Sequence, residues 1–549
     1  MKIPKPPLER EDFYLDIIQK CLVSRDTRKG DYTNLRSFYL FGANPEEPPA
    51  YFNKINPHID QLTSFLYSSE TTRFSIQLGA SVPATEHRKT PNLTTALNDE
   101  WLNSNADQVF STALTWALVY NSTFIKLVYR KGIQIYMIEP SSMGVLREDS
   151  PYADRQEAMV QTYYITRSEL LDRLYSHPQR EAIMKRVTTG VRVAESDIPE
   201  GVNRIITSQS NPVLSGNVNL ELYGTNRYKA QVAEDMVEMR ELWIWNSETS
   251  DYQVVTMASP GVLLYDRPGE TMFLKGECPF VQICPVPQYD YYWGASEVSK
   301  LTNLQTLRNT RMAEILDILA RQTKPPRVFS GLGGILDEKF SALNFPGTHI
   351  ASDMPGAKVD NLAPEMPADL FAPEMPSDLF EVIHEIDAMF SEVSGISNVL
   401  SGKGESGVRS QGHASQLARL GSSRAKKRAL IVEDSLEKVA TLFLKMMKQY
   451  DNTYFQDVDG KPFIAEQFTN DFVVKVDAHS NSPIFTEDLK QLAFNLFKAQ
   501  AIDKESLLDL LEPPMKQLLK DRLKQREEKE RMNPPEAKGK EAPKQKMDE

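Results

Sequence analysis

The sequence predicts a helix-rich α+β fold, and three observations carry that prediction. Apolar residues recur at three and four over long stretches in both halves of the chain. Between them lie β-rich runs with hairpin punctuation. The segment from Pro376 to Tyr450 then reads as a short amphipathic helix, a glycine- and serine-rich loop, and a very long helix.

Size and composition agree with a globular product. The chain has 549 residues, 41% hydrophobic and 25% charged, enough to build two to four structural units. Its net charge of -12 argues against a simple high-affinity nucleic-acid binder, which needs a basic footprint. An acidic protein can still surround DNA without gripping it. Cys21, Cys278 and Cys284 show no C-x-x-C ligand spacing, so neither a zinc site nor a disulfide framework is expected. The opening MKIPKPPLERED lacks the apolar core of a signal peptide, and no apolar run approaches a bilayer span. The expectation is an intracellular product without a membrane.

Residues 9–40 are expected to be helical, with Phe13, Ile17, Ile18, Cys21 and Leu22 on one face. A second helix is expected from Pro57 to Ser68, and a long one over 93–119. TFIKLVYR and IQIYMIEP, joined at Lys131-Gly132, read as a hairpin. MVQTYYIT reads as a strand and SELLDRLYS as a helix. Residues 186–232 are polar and weakly periodic. VEMRELWIWN, YQVVTMA and GVLLYDR read as strands of a second sheet. A helix is expected over 295–321, ended by Pro325-Pro326.

Residues 327–375 are rich in glycine and proline and contain a tandem duplication, APEMPADLF followed by APEMPSDLF. Two copies are too few for a solenoid, so the repeat reads as a lengthened loop. The second copy opens the amphipathic helix, with Ser377 as its N-cap. That helix carries Asp378, Glu381, Glu385 and Glu392 at i, i+3, i+7 and i+14, which places all four carboxylates on one stripe. Leu379, Val382, Ile383, Ile386, Met389, Phe390 and Val393 fall on another face. The loop that follows has Gly402, Gly404 and Gly407, which let it change shape cheaply. After the long helix, QDVDGKPFI and DFVVKVDA read as strands, 486–500 and 503–526 as helices, and the Lys/Glu/Pro tail from Arg531 as disordered.

Catalytic and metal constellations are poor. SGKGESG fails the phosphate-loop spacing because Ser397 stands where the first glycine belongs. His384-Glu385 begins an H-E-x-x-H pattern that ends in Ala388. His58 and His413 read as ordinary polar contacts, and Trp101, Trp116, Trp243 and Trp245 as core. A solvated surface-helix face is the plain reading of the acidic stripe. Salt bridges to Glu433, Glu437 or a neighbouring subunit are the plain reading of Arg419, Arg424, Lys426, Lys427 and Arg428. No catalytic residue, metal site or cofactor is expected.

Four ordered blocks resemble the portal protein, or head-to-tail connector, of tailed bacteriophages. They are YFNKINPHIDQLTSFLY, ALVYNSTFIKLVYRKGIQIYMIEPSSMGVL, PVPQYDYYWGASEVSKLTNLQTLRNTRMAEIL and SGISNVLSGKGESGVRSQGHASQLARL. The resemblance covers roughly residues 10–510. It implies a portal-type architecture assembled as a ring, usually of twelve subunits, at one capsid vertex of a virion made in the host cytoplasm. The ring would carry double-stranded DNA through its channel during packaging and ejection. It would contact the major capsid protein and dock the terminase motor and then tail or adaptor proteins.

Carried onto this chain, 1–294 would be the wing, 295–321 and 377–394 the two stem helices, and 322–376 the clip. Residues 395–409 would be the tunnel loop, 410–485 a long wing helix with following strands, 486–530 the crown, and 531–549 a disordered tail. Asp378, Glu381, Glu385 and Glu392 would line the channel. Lys403, Glu405 and Arg409 would sit on the tunnel loop, where the basic pair could touch DNA transiently. The chain departs from some relatives in lacking a long helical C-terminal barrel, and the duplication is unusual. Another virion protein such as a tail adaptor, or a DNA-processing enzyme, is the alternative.

Overall fold

The computed structural model of the chain describes residues 7–45, 47, 50–67, 72–79, 81–130, 132–149, 156–187, 236–268, 273–323, 327–330, 350–352, 368–369, 378–394, 423–476, 493–499, 501–511 and 522–523. Within them the fold is α+β. In chain order the helices are α1 (Pro7–Leu22), α2 (Arg25–Phe41), α3 (Ile55–Leu66), α4 (Ala84–His87), α5 (Thr90–Asn103), α6 (Ala106–Tyr120), α7 (Arg167–Arg173), α8 (Arg180–Arg186), α9 (Thr302–Thr323), α10 (Asp378–Ser394), α11 (Ser423–Tyr450) and α12 (Lys504–Leu511).

The largest sheet is an antiparallel meander of β4 (Met143–Val145), β5 (Ala158–Thr166), β6 (Met236–Asn246), β7 (Asp251–Ala258) and β8 (Val262–Pro268). Its strands alternate between two faces, as period-2 geometry requires. Val160, Leu242 and Val255 meet Tyr14, Ile17 and Ile18 of α1. Met159, Trp243 and Val254 point the other way, toward Phe124, Phe280 and Trp293. A three-stranded antiparallel sheet places β2 (Thr123–Tyr129) between β3 (Ile133–Ile138) and β9 (Phe280–Ile283). The expected hairpin is present, with Gly132 at φ 138 in its turn.

The main core gathers α2, α3, α5 and α6 around α11, which buries Val432, Leu436, Val439, Phe443 and Met446. Strand β1 (Phe74–Leu78) pairs antiparallel with β15 (Phe472–Val476), bringing the first quarter of the chain against the last. Three short strands lie in the Gly/Pro-rich region. β10 (Arg327–Ser330) pairs parallel with β11 (Ile350–Ser352) and antiparallel with β12 (Ala368–Asp369).

Several expectations are corrected. The helix expected over 9–40 is two helices broken at Val23 and Ser24, where the Ser24 hydroxyl turns to the Glu148 carboxylate. The helix expected over 93–119 is also two. Asn105 adopts the left-handed conformation at φ 53, one that asparagine tolerates better than most residues. Asp107 braces that corner by accepting from Trp101 Nε1 at 2.7 Å and the Tyr67 hydroxyl at 2.6 Å.

The helix expected from 295 begins at Thr302, preceded by a 3-10 turn over Val298–Lys300. QDVDGKPFI is not one strand: residues 457–461 turn between β13 (Tyr454–Gln456) and β14 (Pro462–Ile464). There Asp457 accepts from the backbone of Asp459 and Lys461, and Gly460 takes φ 80. Of the two C-terminal helices expected, residues 493–498 and α12 are described as helical. Almost all of 186–232, the 410–422 start of the long helix and the tail from Arg531 lie outside the described residues.

Candidate functional site

Helices α9 and α10 form a packed pair, and the lead-in to α9 is fixed first. The Ser296 hydroxyl donates to the Val119 carbonyl at 2.5 Å, and the Glu297 amide donates to the Leu118 carbonyl at 2.9 Å. Both carbonyls are at the C-terminal turn of α6, where backbone acceptors lack helical partners. Ser296 Oγ then accepts from the Ser299 amide at 3.2 Å, tying the lead-in to the 3-10 turn.

Further along α9, three polar residues grip the chain between α2 and α3. Gln305, fully buried, donates to the Phe52 carbonyl at 3.0 Å and accepts from the Lys54 amide at 3.1 Å. Asn309 donates to the Gly42 carbonyl at 2.7 Å. Arg308 donates to the Phe52 carbonyl at 3.3 Å and lies over the Phe52 ring.

Helix α10 buries Ile383, Ile386 and Phe390, and Ile386 and Phe390 join the main core. Asp378, Glu381, Glu385 and Glu392 are all exposed, so in this chain the stripe faces away from the packed side. From Asp378 to Glu392 it runs about 21 Å along the helix axis. Carboxylates strung over that length cannot converge on one ion. Among the described residues no group of three or more His, Cys, Asp or Glu could hold a metal. Lys403, Glu405 and Arg409 lie outside the described residues.

The sequence reading passed over Asp387, a fifth carboxylate on the same helix. On an ideal wheel it stands about 150° from the stripe. It meets Lys54 Nζ at 2.7 Å and Arg308 Nε at 3.0 Å. Partial burial raises its carboxyl, but hydrogen bonds and charge from Lys54 and Arg308 outweigh that and hold it below the usual carboxylate value. Its displacement from the other acids was the one signal available beforehand.

In the basic cluster, Arg428 has a different partner from the one expected. Arg428 pairs with Glu297 at 2.8 Å, not with Glu433 or Glu437, and Glu437 is taken by Lys475 at 2.6 Å. Lys427 is exposed. Arg419 and the side chain of Arg424 lie outside the described residues, as does His413.

His58 is not the ordinary polar contact expected. Its Nε2 is buried with no hydrogen-bond partner. Burial lowers its pKa from 6.5 to about 4, against an upward pull from Glu297. The tryptophans pack as expected: Trp101 and Trp243 are buried, and Trp116 and Trp245 pack against the clusters around them. No described helix is long and apolar enough to cross a membrane.

Comparison with known proteins adds little. No family model matches the chain, and no curated protein matches it. One solved chain, from the "Virion of native gene transfer agent (GTA) particle", aligns with 88% of this chain and 94% of its own at 11% identity. Its TM-score is 0.41, too low to carry an argument about fold or function.

Proposed function

We propose that this chain is a structural protein of a tailed-phage virion, specifically the subunit of a portal ring. In this reading α9 and α10 are the stem helices, the strands of 322–376 belong to the clip, and the residues after α10 lead into the tunnel loop. The single observation that carries it is the acidic face of α10, solvent-facing along its whole length while the opposite face is packed and pinned. The four ordered sequence blocks support it independently.

The chemistry follows from the polyanion. A channel lined with cations would bind phosphates and release counterions, creating a deep well for DNA. A carboxylate wall, repeated by every subunit, does the reverse. At physiological salt the repulsion decays over about 8 Å, so it acts at close approach and centres the duplex. The ring, of about twelve copies, serves as a conduit with no reaction of its own. Its partners are the terminase, a tail or adaptor protein and the major capsid protein at one capsid vertex.

Electron microscopy of the purified protein, viewed down the particle axis, tests the assembly. The expected image is a ring with a central hole, with α10 turned inward. A solitary chain, or carboxylates pointing outward, overturns the proposal. Reversing Asp378, Glu381 and Glu385 to Lys is expected to leave the ring intact and to impair DNA packaging. Normal packaging by that variant removes the lining role.

A further inference from the structure

We infer that Asp387 is a positioning residue: its paired contacts with Arg308 and Lys54 set the rotation of α10 about its own axis, and thereby aim the carboxylate stripe. The inference deepens the proposed function and rests on reading that stripe as the channel wall.

Apolar packing alone leaves that rotation poorly determined. On an ideal wheel the buried face is centred among Ile383, Ile386 and Phe390. Phe380 stands about 90° to one side and is 49% exposed. Met389, 39% exposed, stands about 90° to the other side, with Val393, 40% exposed, between it and the centre. Turning the helix one way buries Phe380 and uncovers Met389 and Val393; turning it the other way does the opposite. Hydrophobic burial is non-directional and nearly proportional to area, so it discriminates weakly between these states.

The charges discriminate. A turn toward Met389 carries Glu385 toward the apolar contact, where taking a carboxylate out of water is costly. A turn toward Phe380 carries Asp387 into that contact and pulls it from both cations. The two cations come from separate elements, Arg308 from α9 and Lys54 from the residue before α3, so together they fix angle and axial position. Arg308 is itself buried and anchored on the Phe52 carbonyl. Charge-assisted contacts of this kind are directional.

The test reads rotation directly, on the purified chain without DNA. Thiol modification is followed by peptide mass at H384C and, separately, at M389C, each with Asp387 intact, as Asp387→Leu and as Asp387→Glu. His384 lies on Phe380's side of the helix and is exposed. Cys21, Cys278 and Cys284, unpaired and at least partly buried, remain as reporters of general loosening.

Asp387→Leu is expected to slow modification at H384C about tenfold and to speed it at M389C, with the native cysteines unchanged. Asp387→Glu is expected to keep the parent pattern. Unchanged rates at both sites overturn the inference. So does a joint rise at both sites and at the native cysteines, which marks loosening and not rotation. Rotation with normal DNA packaging would leave Asp387 as a positioning residue and count against the channel reading instead.

Discussion

The guanidinium of Arg428, in the second turn of α11, sits 2.8 Å from the carboxylate of Glu297, a residue only 1% exposed at the lead-in to α9. Lys300 approaches the same carboxylate at 2.8 Å. The contact joins the long helix to the start of the α9–α10 pair across a sequence separation of 131, from 297 to 428. Removing one partner of a buried pair strands the other, which costs more than the pair itself contributes.

Arg428→Met is therefore expected to lower stability by about 2–3 kcal/mol, with Lys300 limiting the loss. Urea denaturation followed by tryptophan fluorescence measures it. Combining Arg428→Met with Glu297→Gln is expected to cost less than the sum of the two single changes.

His58 gives a pH dependence with a definite sign. Its folded pKa of about 4 lies below the ordinary 6.5, so between these values the unfolded chain takes up a proton that the folded chain refuses. Stability from this group is fully present above pH 6.5 and is lost as pH falls toward 4, by at most about 1.4 kcal/mol per pH unit. His58→Phe is expected to flatten that part of the stability–pH curve. Parallel curves for the two proteins would show that His58 does not contribute.

The five-stranded sheet and the β3-β2-β9 sheet share a buried ion pair. Lys126 on β2 donates to Glu241 on β6 and to Gln161 on β5, and Glu241 also accepts from Trp243 Nε1 at 2.7 Å. Lys126→Met is expected to destabilise by about 3–5 kcal/mol, because it leaves Glu241 buried without its cation. Adding Glu241→Gln is expected to recover part of the loss. Denaturant midpoints for the single and double variants check this.

DNA retention tests the wall from the opposite direction. The parent protein is expected to hold duplex DNA weakly at all salt concentrations. The Asp378→Lys, Glu381→Lys, Glu385→Lys variant is expected to bind it, with affinity falling steeply from 50 to 200 mM salt as counterion release predicts (about one unit of log–log slope per phosphate contacted). Fluorescence anisotropy across a salt series gives both numbers. Salt-independent binding would point to contacts other than these lysines.

Much of this architecture was legible beforehand. The β2–β3 hairpin, strands β5 to β8, helices α3 and α10 and the ends of α9 and α11 were all expected within a few residues, because periodicity and turn residues are local signals. Their corrections have local causes with distant supports. The α5–α6 corner needs Asn105 in a left-handed conformation, and Asp107 holds that corner through Tyr67, forty residues upstream.

What the sequence by itself determined is which residues can share a face: four carboxylates on one side of α10, and an apolar side apart from them. Only the tertiary structure decided what each face meets. It paired β1 with β15 and set β9 beside β2, and it brought Lys54, Arg308 and Asp387 together. The physical reason is range: backbone propensity and side-chain period act over a few residues, whereas ion pairs and sheet edges are completed by whatever the folded chain carries past them.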